Sequence, residues 1–167
     1  MLSIASRWFI LASMQNNNQK LVLGWREWVA LPDLGLPALK AKVDTGAKTS
    51  ALHAYYTERY QLDGVDMVKF LIHPIQKNFD FHVECHTPII DYREITDSGG
   101  HSEMRYVIQS NMVIGSRQWP IELTLTNRDT MRFRMLLGRR AMENQAVVEP
   151  EASYLNGKLK AKKLYQL

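Results

Sequence analysis

Ala41-Lys42-Val43-Asp44-Thr45-Gly46-Ala47 is the stretch on which the reading of this chain turns. A short apolar strand ends there at a carboxylate, followed by a hydroxyl, a glycine and a small residue. Taken alone, Asp-Thr-Gly is a turn, because Asp bonds its own backbone and Gly accepts conformations other residues avoid. It has a counterpart 91–95 residues downstream, Met135-Leu136-Leu137-Gly138-Arg139, where apolar residues run into Gly-Arg. The two segments bracket most of the chain, so whatever joins them defines the domain.

Between and around them the sequence reads as short strands punctuated by turns. Leu21–Leu31 is rich in Val, Leu and Trp and stops at Pro32, and Leu39–Val43 leads into Asp44. Met67–His73 alternates after the turn signal Asp63-Gly64, and Phe79–His86 alternates before Pro88. Met104–Ile114 and Trp119–Thr126 flank a hairpin turn at Gly115-Ser116-Arg117-Gln118. Met135–Leu137 is one more short strand, and only Arg139–Asn144 has the character of a short helix. Closely spaced strands of this kind imply an all-β barrel or sandwich.

The 167 residues suit one domain, and 46% apolar with 23% charged residues describe a globular chain rather than a disordered, collagenous or coiled-coil one. The single cysteine, Cys85, excludes an internal disulfide framework and a four-cysteine zinc site, which makes a reducing cytoplasm the simpler location. A net charge of +4 invites nucleic acid, but Lys158, Lys160, Lys162 and Lys163 crowd into the last twelve residues, which hold no acid. Without those four, 17 basic residues balance 17 acidic ones. The expected partners therefore include neither nucleic acid nor membrane, and the tail reads as a solvated end. At the other terminus Arg7 interrupts the apolar stretch Leu2–Met14, leaving a run too short to span a bilayer. The expected organisation is an extension and linker over residues 1–19, with Met14 as a sensible alternative start, a domain over 20–155, and a basic tail over 156–167.

Other chemistry finds less support. His82, Glu84 and His86 alternate along one strand and could share a face, as zinc ligands would, but a polar solvent-facing strand is the far commoner account, and there is no HExxH. No GxxxxGK[ST] or GxGxxG occurs, so no nucleotide cradle is expected. Cys85 lies mid-strand, where a small buried thiol is the simpler account. The expectation is no metal and no cofactor.

Asp44-Thr45-Gly46-Ala47 after a strand and Leu136-Leu137-Gly138-Arg139 before a short helix together resemble the retropepsin-like aspartic proteases. The order of elements between them fits: Asp97-Ser98-Gly99-Gly100 would be the tip of a flap, Ser102–Ile114 the long strand, and Trp119–Thr126 the strand after the turn. A narrower resemblance, carried by Asp44–His53, Thr126-Asn127-Arg128 and Leu136–Arg140, is to the bacterial family named ATP-dependent zinc proteases, often associated with a ligase that adds glutamates to a ribosomal protein. It spans about Gly24 to Tyr154. The resemblance implies a closed retropepsin-like barrel with one short helix after Gly-Arg, and an aspartic peptidase with Asp44, Thr45 and Gly46 as catalytic residues. Thr45 would bond across a dimer axis, Leu136 and Leu137 would pack behind the Asp44 loop, Gly138 would permit a close crossing, and Arg139 would anchor the loop.

Two carboxyl groups held about 3 Å apart share one proton, and this lets one act as base while the other protonates the substrate. The chain carries one Asp-Thr-Gly, so that chemistry requires a homodimer with Asp44 from each copy on a two-fold axis. Ala47, Lys48, Gly99, Gly100, Arg128 and Arg139 are the expected substrate-binding residues. Lys48 stands where retroviral members carry an acid. Arg128, Arg132, Arg134, Arg139 and Arg140 lie within thirteen residues, either as a solvated basic face or as a surface for an acidic, glutamate-rich peptide. Two alternatives come from other classes: a peptide-binding module with the same cleft but no hydrolysis, and a zinc-dependent peptidase as that family's name implies.

Overall fold

The computed structural model of the chain describes residues 19–127 and 131–167. The expectations for residues 1–13 and for Arg128 lie outside the described residues. The elements in order are β1 (Leu21–Gly24), β2 (Arg26–Leu31), a 3-10 turn (Pro32–Leu34), β3 (Leu36–Val43), β4 (Ser50–His53), β5 (Tyr56–Leu62) and β6 (Val65–Ile72). There follow β7 (Val83–Pro88), β8 (Asp91–Thr96), β9 (Ser102–Ile114), β10 (Arg117–Thr126), β11 (Met135–Leu137), α1 (Arg139–Met142), β12 (Ala146–Glu149) and α2 (Ala161–Leu164).

The main sheet runs β10-β4-β11-β3-β2-β9, and β9 pairs back onto β10, closing a six-stranded barrel to which β8 is added outside β9. This is the closed all-β barrel expected from the sequence. The β9–β10 hairpin contributes a continuous register from Arg117↔Ile114 to Thr124↔Val107. The β2–β9 seam is thin, with Ala30↔Val113 its bridge, beside a bulge between Val29 and Leu31. Alternation buries Glu27, Val29 and Leu31 of β2, and Val29 and Leu31 join Leu39, Ala41, Leu52, Ile108, Met112, Leu123 and Leu137 in one core. Each fully buried Leu or Ile there contributes about 1.5–3 kcal/mol relative to exposure.

Three strands escape the sequence pattern for different reasons. β4 is buried at every position, so it shows no alternation. β5 is exposed along nearly its whole length and owes its form to its ladder with β6, from Tyr56↔Leu71 to Leu62↔Val65. The connecting turn uses Asp63 at φ 49° and Gly64 at φ 79°, the paired positive angles of a two-residue hairpin. β12 owes its form to a parallel partner more than a hundred residues away, β1.

The lysine-rich end differs from the solvated tail expected of it. Its second helix, α2, packs on β3: the Tyr165 hydroxyl donates to the Ala38 carbonyl at 2.8 Å, and its ring lies 5.3 Å from that of Phe81. A four-residue helix has no stability of its own, so this docking is what orders it. Just before it, the buried Glu27 carboxylate accepts N–H bonds from Gly24 (2.7 Å), Leu155 (3.0 Å) and Asn156 (3.3 Å). Counting the Asn156 side chain at 3.3 Å, three contacts to Glu27 tie the C-terminal segment to the β1–β2 corner.

Candidate active site

β3 and β4 are consecutive in the chain yet do not pair. β11 lies between them, parallel to β3 (Leu137↔Val43) and antiparallel to β4 (Leu136↔Ala51). The loop from Asp44 to Thr49 must therefore cross over the end of β11, a span of two strand spacings, roughly 9.5 Å. This crossing explains the residues around it. A Cβ on Gly138 would stand 2.6 Å from the Thr49 carbonyl carbon and 2.9 Å from the Ser50 nitrogen, so only glycine fits beneath the loop. The Gly138 amide is satisfied by the Ser50 hydroxyl at 3.0 Å.

The loop is bound to β11 and α1 throughout. The Asp44 N–H donates to the Leu137 carbonyl (2.9 Å), and the Arg139 and Arg140 N–H groups donate to the Ala47 and Lys48 carbonyls (2.8 and 3.1 Å). The Arg139 guanidinium reaches back through one nitrogen to the Thr45 and Gly46 carbonyls at 2.8 and 3.1 Å. Its charge is thus spent on the main chain of the Asp-Thr-Gly turn. Asp44 Oδ1 accepts from the Gly46 and Ala47 N–H groups at 2.9 and 3.3 Å. One carboxylate oxygen is held in place, and the half-buried side chain stands at a loop whose Thr45 and Gly46 are exposed.

Asp44, Thr45, Gly46, Ala47, Lys48 and Arg139 are thus brought together in one loop and its support. Gly99 and Gly100 stand on another element, the β8–β9 hairpin, whose register closes at Thr96↔Ser102. The tip is shaped by Asp97, whose Oδ1 accepts from the Gly99 and His101 N–H groups at 2.9 and 3.0 Å. The His101 N–H bond above all holds its carboxyl below the usual range, against desolvation. Gly100 takes φ 81° there, the left-handed conformation that favours glycine. Next to the closing pair of the hairpin, Glu103 accepts the Thr126 hydroxyl at 2.6 Å and pairs with Arg105.

The arginines that cluster in sequence divide in space. Arg139 serves the Asp44 loop, Arg140 lies 3.6 Å from Glu122, and Arg132 and Arg134 face a pocket that Lys40 also lines. Sequence reading singled out neither Ser50, whose neighbours gave no sign of a structural hydroxyl, nor Lys40. Of the strand once weighed as a metal site, His86 is exposed and bonds Tyr60 (2.8 Å) and Glu84 (2.9 Å). No group of three potential ligands converges among the described residues. Cys85 is buried with its thiol on the Leu34 carbonyl at 3.3 Å, and burial pushes its pKa up to about 12. No helix among the described residues is long and apolar enough to cross a membrane.

A barrel in which β11 threads between two strands, with Asp-Thr-Gly crossing above Gly-Arg, defines the retropepsin-like class. Residues 22–159 match the RimB-like family, described as the retropepsin-like aspartic endopeptidase RimB, and the chain belongs to that family. Similar proteins named "Probable alpha-L-glutamate ligase" occur in Parasynechococcus marenigrum, 44% identical over 146 residues, and in Shewanella pealeana, 44% identical over 152. The matches cover 87% and 89% of this chain but 31% and 33% of those relatives, so it spans about a third of their length. A solved structure of a Legionella pneumophila protein of unknown function shares the fold at a TM-score of 0.68 and 24% identity, covering 83% of this chain and 99% of that one.

Proposed function

We propose that the chain is a homodimeric aspartic peptidase that hydrolyses peptides through a pair of Asp44 carboxyl groups, one from each copy. The observation that carries this is the Asp44 loop itself, pinned by Leu137 and Arg139 while its carboxylate stays reachable. In the dimer the two carboxyl groups share a proton across the axis. The unprotonated member takes a proton from water as it attacks the scissile carbonyl, and the protonated member supports the developing oxyanion and then the leaving amine. Thr45 ties the two loops across the axis, and the Gly99–Gly100 hairpin closes over the peptide, with Lys48 and Arg128 contacting it. The glutamate ligase name of the relatives, together with Lys48 beside the loop, supports an acidic, glutamate-bearing peptide as substrate and a cytoplasmic setting.

Asp44→Asn tests the chemistry. Hydrolysis of a glutamate-rich peptide should fall by more than about 100-fold, and activity surviving in the purified variant would exclude Asp44 as the catalytic group. Mixing tests the pairing. Adding excess Asp44→Asn protein to wild type should suppress wild-type turnover by forming mixed dimers, whereas simple additivity would show that each copy works alone.

A further inference from the structure

Glu84 and His86 belong to a hydrogen-bonded relay on a three-stranded sheet, β5-β6-β7, that forms no part of the barrel ladder. The inner face of this sheet buries Val68, Phe70, Ile72 and Cys85, which turns the other face outward. On that face Glu58 and His86 both stand opposite Lys69, and Tyr60 lies two residues beyond Glu58 on the same side of β5. The Tyr60 hydroxyl meets His86 Nδ1 at 2.8 Å, and His86 Nε2 meets Glu84 Oε1 at 2.9 Å. We propose that Tyr60 is a covalent acylation site, a phenol nucleophile that takes an acyl group from an activated ester with His86 as its base. The site is separate from the Asp44 loop and does not depend on the peptidase reading.

The direction of the relay follows from what each atom can donate. An ionised carboxylate only accepts, and the His86 bond, ahead of the opposing desolvation, holds Glu84 below the usual carboxylate range. Nε2 of His86 therefore carries a proton. In the neutral ring Nδ1 is then a lone pair, and the Tyr60 hydroxyl donates to it. A hydroxyl bonded to a base, with the base oriented by a third group, is the arrangement that activates nucleophiles for acyl transfer. Tyr60 is half-buried while His86 and Glu84 are exposed, so a small acyl donor has access to the phenol.

Tyr56, on the same face of the same strand, supplies the contrast. Its hydroxyl donates to Glu58 Oε2 at 2.9 Å, and that bond above all holds its proton on, above the usual tyrosine range. Losing the proton there would set a phenolate against a carboxylate. At Tyr60 the same loss leaves a phenolate beside an imidazolium, which Glu84 supports from its far side. In the step itself the Tyr60 oxygen attacks the acyl carbon and its proton passes to His86 Nδ1. The new O–C bond replaces the bond to the leaving group, which departs with its electron pair and takes the proton from the imidazolium. The product is an aryl ester on Tyr60. Two carboxylates, Glu58 and Glu84, share this face with Lys69, which favours a neutral acyl carbon over an anionic phosphoryl group.

The test treats the full wild-type chain with p-nitrophenyl acetate at pH 8. Trypsin cuts after Arg59, so Tyr56 and Tyr60 fall on separate peptides, and mass spectrometry follows the acetylation of each. Tyr60 should be acetylated about ten-fold or more faster than the exposed Tyr56 and Tyr92. His86→Gln keeps a side chain that accepts a hydrogen bond but is no base, and it should bring Tyr60 down to the rate of Tyr92. His86→Ala should do the same, with added imidazole restoring part of the rate, a rescue that a merely structural histidine would not show. Glu84→Gln should fall between wild type and His86→Gln. All these changes lie at the surface, and matching melting curves confirm the fold of each variant. Equal acetylation of Tyr60 and Tyr92 in wild type, or an unchanged Tyr60 rate in His86→Gln, would overturn the assignment. So would acetyl-His86 accumulating in place of acetyl-Tyr60, which would make the imidazole the nucleophile.

Discussion

Gly138→Ala attacks the crossing on which the whole site depends. The added methyl would stand 2.6 Å from the Thr49 carbonyl carbon, 2.8 Å from its oxygen and 2.9 Å from the Ser50 nitrogen. All three are backbone atoms of a loop bonded on both sides, so no side chain can swing aside. The loop and β11 must separate by several tenths of an ångström. Overpacking of that kind costs about 1–3 kcal/mol, and the stretched bond from the Gly138 N–H to the Ser50 hydroxyl adds about 1 kcal/mol. A loss of about 3 kcal/mol corresponds to roughly 6–12 °C in melting temperature for a chain this size. Differential scanning calorimetry on wild type, Gly138→Ala and Ser50→Ala would resolve it, with Ser50→Ala reporting the hydrogen bond alone. Because the same movement tilts Asp44, the proposed peptidase activity should fall by more than stability does under conditions where the variant remains folded. A Gly138→Ala protein melting within about 2 °C of wild type, with full activity, would refute the claim that the crossing is sterically closed.

Glu27→Ala should cost about 3–5 kcal/mol in urea unfolding, since it leaves the buried N–H of Gly24 and the part-buried N–H groups of Leu155 and Asn156 without their carboxylate acceptor; a loss below 1 kcal/mol would show that the C-terminal segment is not held there. Glu103 is bonded by Thr126 and, after the opposing cost of desolvation, by Arg105, which together hold its carboxyl below the usual range. A depressed folded value stabilises the fold above the unfolded pKa and ceases to do so as pH falls through the folded one. Glu103→Gln should thus be less stable than wild type at neutral pH, by a few tenths to about 1 kcal/mol, with the gap closing in acid; a gap that widens in acid would contradict the sign. Cys85, with its thiol pushed up to about 12, should resist iodoacetamide at pH 8 in the native protein and react promptly in urea. Rapid labelling of the folded chain, followed by mass spectrometry, would place the thiol at the surface instead.

The legible parts of this fold were those whose signal is local. β9, β10 and β11 alternate or form compact apolar runs next to turn residues, and their limits follow from that pattern. The turn at Asp63-Gly64 needs positive angles that those two residue types supply. Illegible parts depended on distant partners. Ser50–His53 has no periodicity because it is walled in on both faces, and Tyr56–Leu62 is polar because it is not. The run from Leu21 to Leu31 breaks at Trp25, where Gly24 passes so close to Ala152 that a Cβ would sit 2.5 Å from its carbonyl oxygen. No neighbour of Gly24 in sequence signals that contact.

The candidate site divides in the same way. Asp44-Thr45-Gly46 and Leu137-Gly138-Arg139 were readable as two halves of one arrangement, because the residue types needed to turn, cross and anchor a loop are restrictive. The arginine cluster was misleading as a single surface. Successive residues of a loop and short helix point in different directions, so Arg132 and Arg134 entered a pocket, Arg139 turned to the loop carbonyls and Arg140 moved toward Glu122.

By itself the sequence determined that the chain is a small all-β domain and that it carries one Asp-Thr-Gly. These follow from composition, periodicity and count, which no folding event alters. Only the tertiary structure decided that β11 passes between β3 and β4, that Gly138 lies under Thr49, and that Lys40 shares a pocket with Arg132 and Arg134. Such facts arise where segments far apart in the chain are pressed within a few ångströms of each other, and close packing there selects the residue.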